Sequence, residues 1–225
     1  VKALIFTHPP DYPAATIATE AWNRLGVDVT WAIEKRHAPP GGQKHVITEQ
    51  PRRGNLNGLG FCFELLDLMR CFDFKGDSDT LVFSLDWADR PEPLVGFSVK
   101  GRQDFYGACW HMKRDAAPKF LSTLRTTPAL CTSLIGEPED RTVGSVGQIV
   151  GRHVYDYDPK GCPLAGWNWN TSLTEAEYRR RFQVVNVQMP SDTKRTHPGL
   201  REARQQVVDQ MKKLLDAPPL MLDKN

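Results

Sequence analysis

The chain has 225 residues, 40% hydrophobic and 25% charged, and its 29 basic and 27 acidic residues leave a formal charge of +2. These values suit a globular chain with room for one substantial core, and so near a balance gives no broad electrostatic footprint for nucleic acid. No run approaches the roughly twenty apolar residues needed to cross a membrane, and the first residues lack the basic start and cleavage site of a signal peptide, so a cytoplasmic protein is expected.

Residues 2–7 (KALIFT) form a short apolar run that ends at His8-Pro9-Pro10, as a strand does where proline removes the ladder donor. Ile17, Ala21 and Leu25 then recur at spacings of four, and Gly26 stops the helix. Residues 27–33 read as a second strand, which completes a βαβ opening on a parallel sheet. Residues 37–53 carry three prolines and no sustained apolar period, the mark of a long functional or mobile connection. A helix is expected over 56–72, weakened at its start by Gly58 and Gly60.

Residues 80–85 (TLVFSL) read as the central strand, with Asp86 and Asp89 just beyond it. Further strands are expected over 95–99 and 105–112, and a helix from about 115 to 124. A short helix is expected over 142–150, its length put in question by Gly144 and Gly147. Strands over 152–157 and 182–187 and a helix over 201–215 follow, with an irregular stretch at 161–171 and a frayed tail from 218. Cys62, Cys71, Cys109, Cys131 and Cys162 include no CxxC pair, and reduced thiols are expected.

Chemistry-bearing residues gather in three places. Open α/β sheets bind ligands beyond the carboxyl ends of their strands, and Asp86 with Asp89 could hold a hard divalent ion there; a solvated turn, with Asp86 capping and Asp89 paired to Arg90, is the alternative. Glu139 and Asp140 offer a carboxylate to deprotonate a hydroxyl, or else a helix start that accepts backbone N–H bonds. His197 lies in a polar turn, either as a metal ligand or as an exposed side chain. Thr7, His8 and Asp11 close the first strand, where such groups bond a base or ribose, and Arg52 and Arg53 can meet phosphate.

In order and content these pieces resemble the GT-A class of nucleotide-sugar glycosyltransferases, diffusely over residues 2–199. The resemblance rests on VKALIFTHPP with its βαβ continuation, on RGNLNGLG at 53–60, on LVFSLDWAD, on the strand FYGACWHM at 105–112, and on Pro138-Glu139-Asp140-Arg141. It implies a single α/β domain over 1–217 with a Rossmann-like mixed sheet flanked by helices, the nucleotide side in 1–100 and the acceptor side in 101–217. It also implies a nucleoside-diphosphate sugar as donor and Mn²⁺ or Mg²⁺ held by Asp86, Asp89 and His197. Asp140 would be the base of an inverting transfer beside Glu139, with Thr7, His8, Asp11, Arg53, Asn57 and Asp86 around the nucleotide sugar. Trp110, Trp167 and Trp169 would face an acceptor: glycan, small molecule, protein or modified base. The family motif spaces its acids by two, whereas Asp86 and Asp89 are three apart, so Asp86 is the firmer ligand. A catalytically silent sugar-binding protein and a nucleotidyltransferase are the rival readings.

Overall fold

The structure is a computed structural model that describes residues 1–38, 40–50, 58–98, 105–127, 139–155, 163–166, 173–187 and 200–218. Strand β1 (Lys2–Thr7) leads through a 3-10 turn (Pro9–Asp11) into helix α1 (Tyr12–Arg24), and β2 (Asp28–Glu34) lies parallel to β1. Helix α1 forms because Ile17, Ala18, Ala21 and Trp22 share one buried stripe. Gly26, at a φ of 73°, turns the chain out of it. Strand β3 (His45–Thr48) then adds in parallel to β2, inside the stretch expected to be an irregular connection. Helix α2 (Gly58–Leu68) follows and delivers the chain to β4 (Phe74–Asp77).

Strand β4 is the centre of the fold, parallel to β1 on one side and antiparallel to β7 (Phe105–Met112) on the other. Strand β6 (Leu94–Ser98) pairs with β7, and β8 (His153–Tyr155) with β6, giving the order β3-β2-β1-β4-β7-β6-β8. The expected central strand is thus corrected. Thr80–Val82 is β5, which leaves the main sheet and joins β10 (Val184–Asn186) and β9 (Leu164–Gly166) in a second, three-stranded sheet. The physical reason is burial geometry. Strand β4 needs only four residues, and Lys75, Gly76 and Asp77 break the apolar run that marks a buried strand.

Two apolar layers cover the main sheet. Ala3, Ile5 and Phe74 face α1, the second sheet and the last helix, α6 (Leu200–Asp216). Leu4, Phe6 and Trp110 face α2, α3 (Ala117–Thr126) and α4 (Glu139–Val150). Alternation along each strand makes this division. It also sends Lys75 and Asp77 of β4 to the α4 side, opposite Phe74.

Helix α4 begins three residues earlier than expected and runs to Val150 through both glycines. Those glycines are what seat it: a Cβ on Gly144 would lie 2.4 Å from the Phe105 Cβ, and one on Gly147 would lie 2.7 Å from a Leu94 methyl. Helix α5 (Glu175–Arg181) opens on a capping box between Thr174 and Glu177, a start signal present in the sequence and not used. Cys62 and Cys109 are buried free thiols and Cys71 is an exposed one; burial pushes the Cys62 thiol up to about 12, leaving it protonated and inert.

Candidate active site at the carboxyl ends of β1 and β4

Strands β1 and β4 run side by side in the same direction, with Phe6 opposite Asp77. The residues that follow each strand therefore open onto one edge, where parallel sheets expose ligand-binding loops. From β1 come Thr7 and His8. Thr7 is 7% exposed and its hydroxyl is buried with no hydrogen-bond partner among the described residues, a cost that a ligand can remove. His8 is held by Asp11, Nδ1 to Oδ2 at 2.9 Å. Asp11 also faces Arg204 of α6, Nε to Oδ1 at 3.4 Å, and is 4% exposed. Its carboxylate thus ties the loop after β1 to α6.

From β4 come Asp77, Ser78 and Asp79, the pair of acids that the reading of the sequence missed. Asp79 Oδ1 accepts from Asn186 Nδ2 at 2.9 Å, and the same amide donates to Thr80 Oγ1. The Val187 N–H donates to the Asp79 carbonyl, so the end of β10 is tied to this turn. The signal was available. Asp77-Ser78-Asp79 carries the spacing of two that the resemblance requires, but it closes a strand of four residues, and the apolar run after it is the stronger strand signal.

Lys75, two residues before Asp77 and completely buried, joins these acids to α4. Its ammonium lies 2.7 Å from Asp77 Oδ1 and 3.6 Å from Glu139 Oε1, and it donates to the Gly107 carbonyl. Asp140 stands next to Glu139 in the first turn of α4 and accepts from the Arg141 N–H at 2.9 Å. Burial and then the Glu139 charge raise the Asp140 carboxyl to about 6, against the pull of Lys75 and the Arg141 amide. Gly107 makes room for it, since a Cβ there would lie 3.0 Å from the Asp140 Cβ. A carboxylate with a value near neutrality, beside other acids at a strand end, is suited to moving a proton.

The structure thus brings Thr7, His8 and Asp11 to one edge with Asp77 and Asp79, and joins Asp77 through Lys75 to Glu139, beside which Asp140 stands in the first turn of α4. It does not bring Asp86 and Asp89 there. Both are exposed, around the 3-10 turn Asp86–Ala88. Between them Trp87 is buried on the α1 side of the sheet, against Phe74 at 5.7 Å and Phe97 at 4.9 Å, its carbonyl accepting from the Tyr155 hydroxyl. Glu139 and Asp140 begin α4, which packs in the helical layer on the opposite face. Trp110, expected to face an acceptor, is completely buried under the α2–α4 layer and offers no surface. Arg53, Asn57, Trp167, Trp169 and His197 lie outside the described residues. Among the described residues, no three His, Cys, Asp or Glu side chains gather to hold a metal ion, and no helix is long and apolar enough to cross a membrane.

No family model matches the chain, and no significant match occurs among curated proteins. Solved structures do match. A glycosyltransferase involved in glycosylation of the major capsid of PBCV-1 aligns over 94% of this chain and 98% of its own, at 13% identity and a TM-score of 0.50. The galactosyltransferase LgtC, in complex with donor and acceptor sugar analogues, aligns over 97% and 98% at 10% identity and a TM-score of 0.49. The glycosyltransferase GlyE of Streptococcus pneumoniae TIGR4 aligns over 95% of this chain, which spans 62% of that one, at 11% identity and a TM-score of 0.48. The fold, a mixed central sheet flanked by helices, is GT-A-like, as expected from the sequence.

Proposed function

We propose that the chain is a glycosyltransferase that moves a sugar from a nucleoside-diphosphate sugar to an acceptor hydroxyl, with inversion and with Asp140 as base. The observation that carries this reading is a juxtaposition. The Thr7 hydroxyl, without a partner among the described residues, and the Asp77–Asp79 turn share one strand edge, and Lys75 links that turn to Glu139, the chain neighbour of the Asp140 carboxyl raised to about 6.

Thr7 and His8 line the nucleoside side of that edge, with Arg53 and Asn57 as further donors toward the phosphates. Asp77 and Asp79 supply hard oxygen ligands two positions apart, the chemistry that Mn²⁺ or Mg²⁺ accepts; His197 is the candidate for a third ligand. When bound, the ion offsets negative charge on the departing diphosphate. Asp86 and Asp89, on the other face of the sheet, are left out of this assignment.

Asp140 accepts the proton of the acceptor hydroxyl as that oxygen forms its bond to the anomeric carbon and the bond to the diphosphate breaks. With its carboxyl at about 6, it is ionised at neutral pH yet basic enough to take a proton. Glu139, held toward Lys75, orients the sugar or acceptor. Trp167 and Trp169 are the aromatic candidates for an acceptor surface.

Asp140→Asn should lower transfer by about 10²–10⁴-fold, the usual contribution of a positioned base, while donor affinity stays close to that of the parent chain. Undiminished transfer by the folded variant removes the base assignment, and retention of configuration in the product removes the inverting mechanism. Donor binding without turnover, across acceptors and with metal present, would make the chain a nucleotide-sugar-binding protein instead.

A further inference from the structure

Lys75 stands in an unusual place for a charge. In the main sheet it lies between Leu4 of β1 and Trp110 of β7, its register partners, both completely buried. Taking an ammonium out of water in such surroundings costs several kcal/mol, and an apolar side chain at this position would avoid that cost. Buried pairs replaced by well-packed apolar groups leave stability unchanged or improved in many cases, so the ion pairs by themselves give little reason for a lysine here.

Its three contacts show what it does. The ammonium reaches Asp77 at the end of β4, the Gly107 carbonyl of β7 and Glu139 in the first turn of α4. Those are three separate elements, and an ammonium has three donors to direct. The Gly107 contact falls where β7 arches. Two steps along β6, from Val95 to Phe97, are answered by five along β7, from His111 to Tyr106. Gly107 is also the residue whose missing side chain makes room for Asp140.

We propose that Lys75 is a positioning residue. It acts from beneath the site and fixes the donor-side turn Asp77–Asp79 and the acceptor-side pair Glu139–Asp140 in one geometry. The proposal rests on the glycosyltransferase reading for its consequence in catalysis, and on the three contacts alone for its structural content. Lys75 touches neither substrate nor reacting atoms. Its effect passes through Asp77 and Glu139, which it holds at the spacing that lets the donor and the base meet across one edge.

The test uses Lys75→Met, which keeps the length of the side chain and removes the charge, with amide exchange and kinetics measured on the same preparation. Exchange at Asp77–Asp79 and at Glu139–Arg141 should quicken about tenfold or more while the most protected amides of β1 and β2 keep their rates. With a donor that the parent chain turns over, kcat should fall about 10²-fold, as misplaced groups produce, and the KM for donor should change far less. Unchanged exchange at both segments overturns the proposal, and so does a variant with the parent kcat. If Lys75→Met does not fold, Glu139→Gln tests the same contact from its solvent end: faster exchange at Asp77–Asp79, on another element, supports the linkage, and an unchanged rate there overturns it. A parent chain inactive with every nucleotide sugar, in which the exchange effect is nevertheless present, defeats the glycosyltransferase reading and leaves the positioning role standing.

Discussion

Asp140 has a structural role at the start of α4 and, in the proposed function, a chemical one. It accepts the Arg141 N–H in the first turn of α4, so the helix-start reading and the base reading are both compatible with its place. Its carboxyl is raised from an ordinary 3.8 to about 6, and the sign of the consequence follows. A group whose folded value lies above its unfolded value contributes stability that is complete below the unfolded value and is lost as pH rises through the folded one. Asp140 therefore opposes folding above about pH 6, by at most roughly 2–3 kcal/mol at about 1.4 kcal/mol for each unit. Asp140→Asn should raise the urea midpoint near neutral pH and leave it almost unchanged near pH 4. The same gain at both values would show that the carboxyl is not raised. Activity runs the other way: transfer by the parent chain should increase with pH through about 6 and then level, because the base must be ionised to act. In the proposed function, catalysis and stability thus pull on this residue in opposite directions, as active sites commonly require.

At the scale of elements, the seat of α4 is the most exacting feature. Gly144 faces the Cβ of Phe105, which cannot move without its strand, whereas Gly147 faces the end of the Leu94 side chain, which can turn aside. Gly144→Ala should cost about 1–3 kcal/mol in denaturant unfolding as an overpacked contact, and Gly147→Ala clearly less. Equal costs would mean that the helix shifts as a body to absorb either methyl. These glycines also show why parts of the chain were hard to read. Apolar period and terminal signals marked β1, α1, β2, β7 and α6 to within a few residues, because each buries a regular stripe. Strand β4 was not legible in this way: its four residues include Lys75, whose burial depends on Asp77 beside it and Glu139 over sixty positions away. The α4 glycines read locally as helix breakers, and only the approach of Phe105 and Leu94 gives them their reason.

Across the whole molecule, the sheet divides what the sequence placed together. Asp86 and Asp89 follow a convincing apolar run, yet Trp87 anchors their turn on the α1 side, while Glu139 and Asp140 stand with the helices on the other. The acids at the end of β4 lie nine or so positions earlier, and Lys75 joins the first of them, Asp77, to Glu139, the neighbour of Asp140. The place of Thr7 and His8 at a strand end was legible because a strand end is a local property; Asp77 and Asp79 close and follow a strand of only four residues, whose apolar signal is too short to mark them. In open α/β sheets ligands bind beyond the carboxyl ends of the strands, which makes the edge at β1 and β4 the place to test the proposed donor site. The most direct measurement is therefore release of nucleoside diphosphate from a panel of nucleotide sugars with Mn²⁺, comparing the parent chain with Asp79→Asn, Asp140→Asn and the double variant Asp86→Asn/Asp89→Asn. Release by the parent chain, abolished or nearly so by the first two changes and kept by the double variant, is the predicted result; loss confined to the double variant, or no release from any donor, would contradict it.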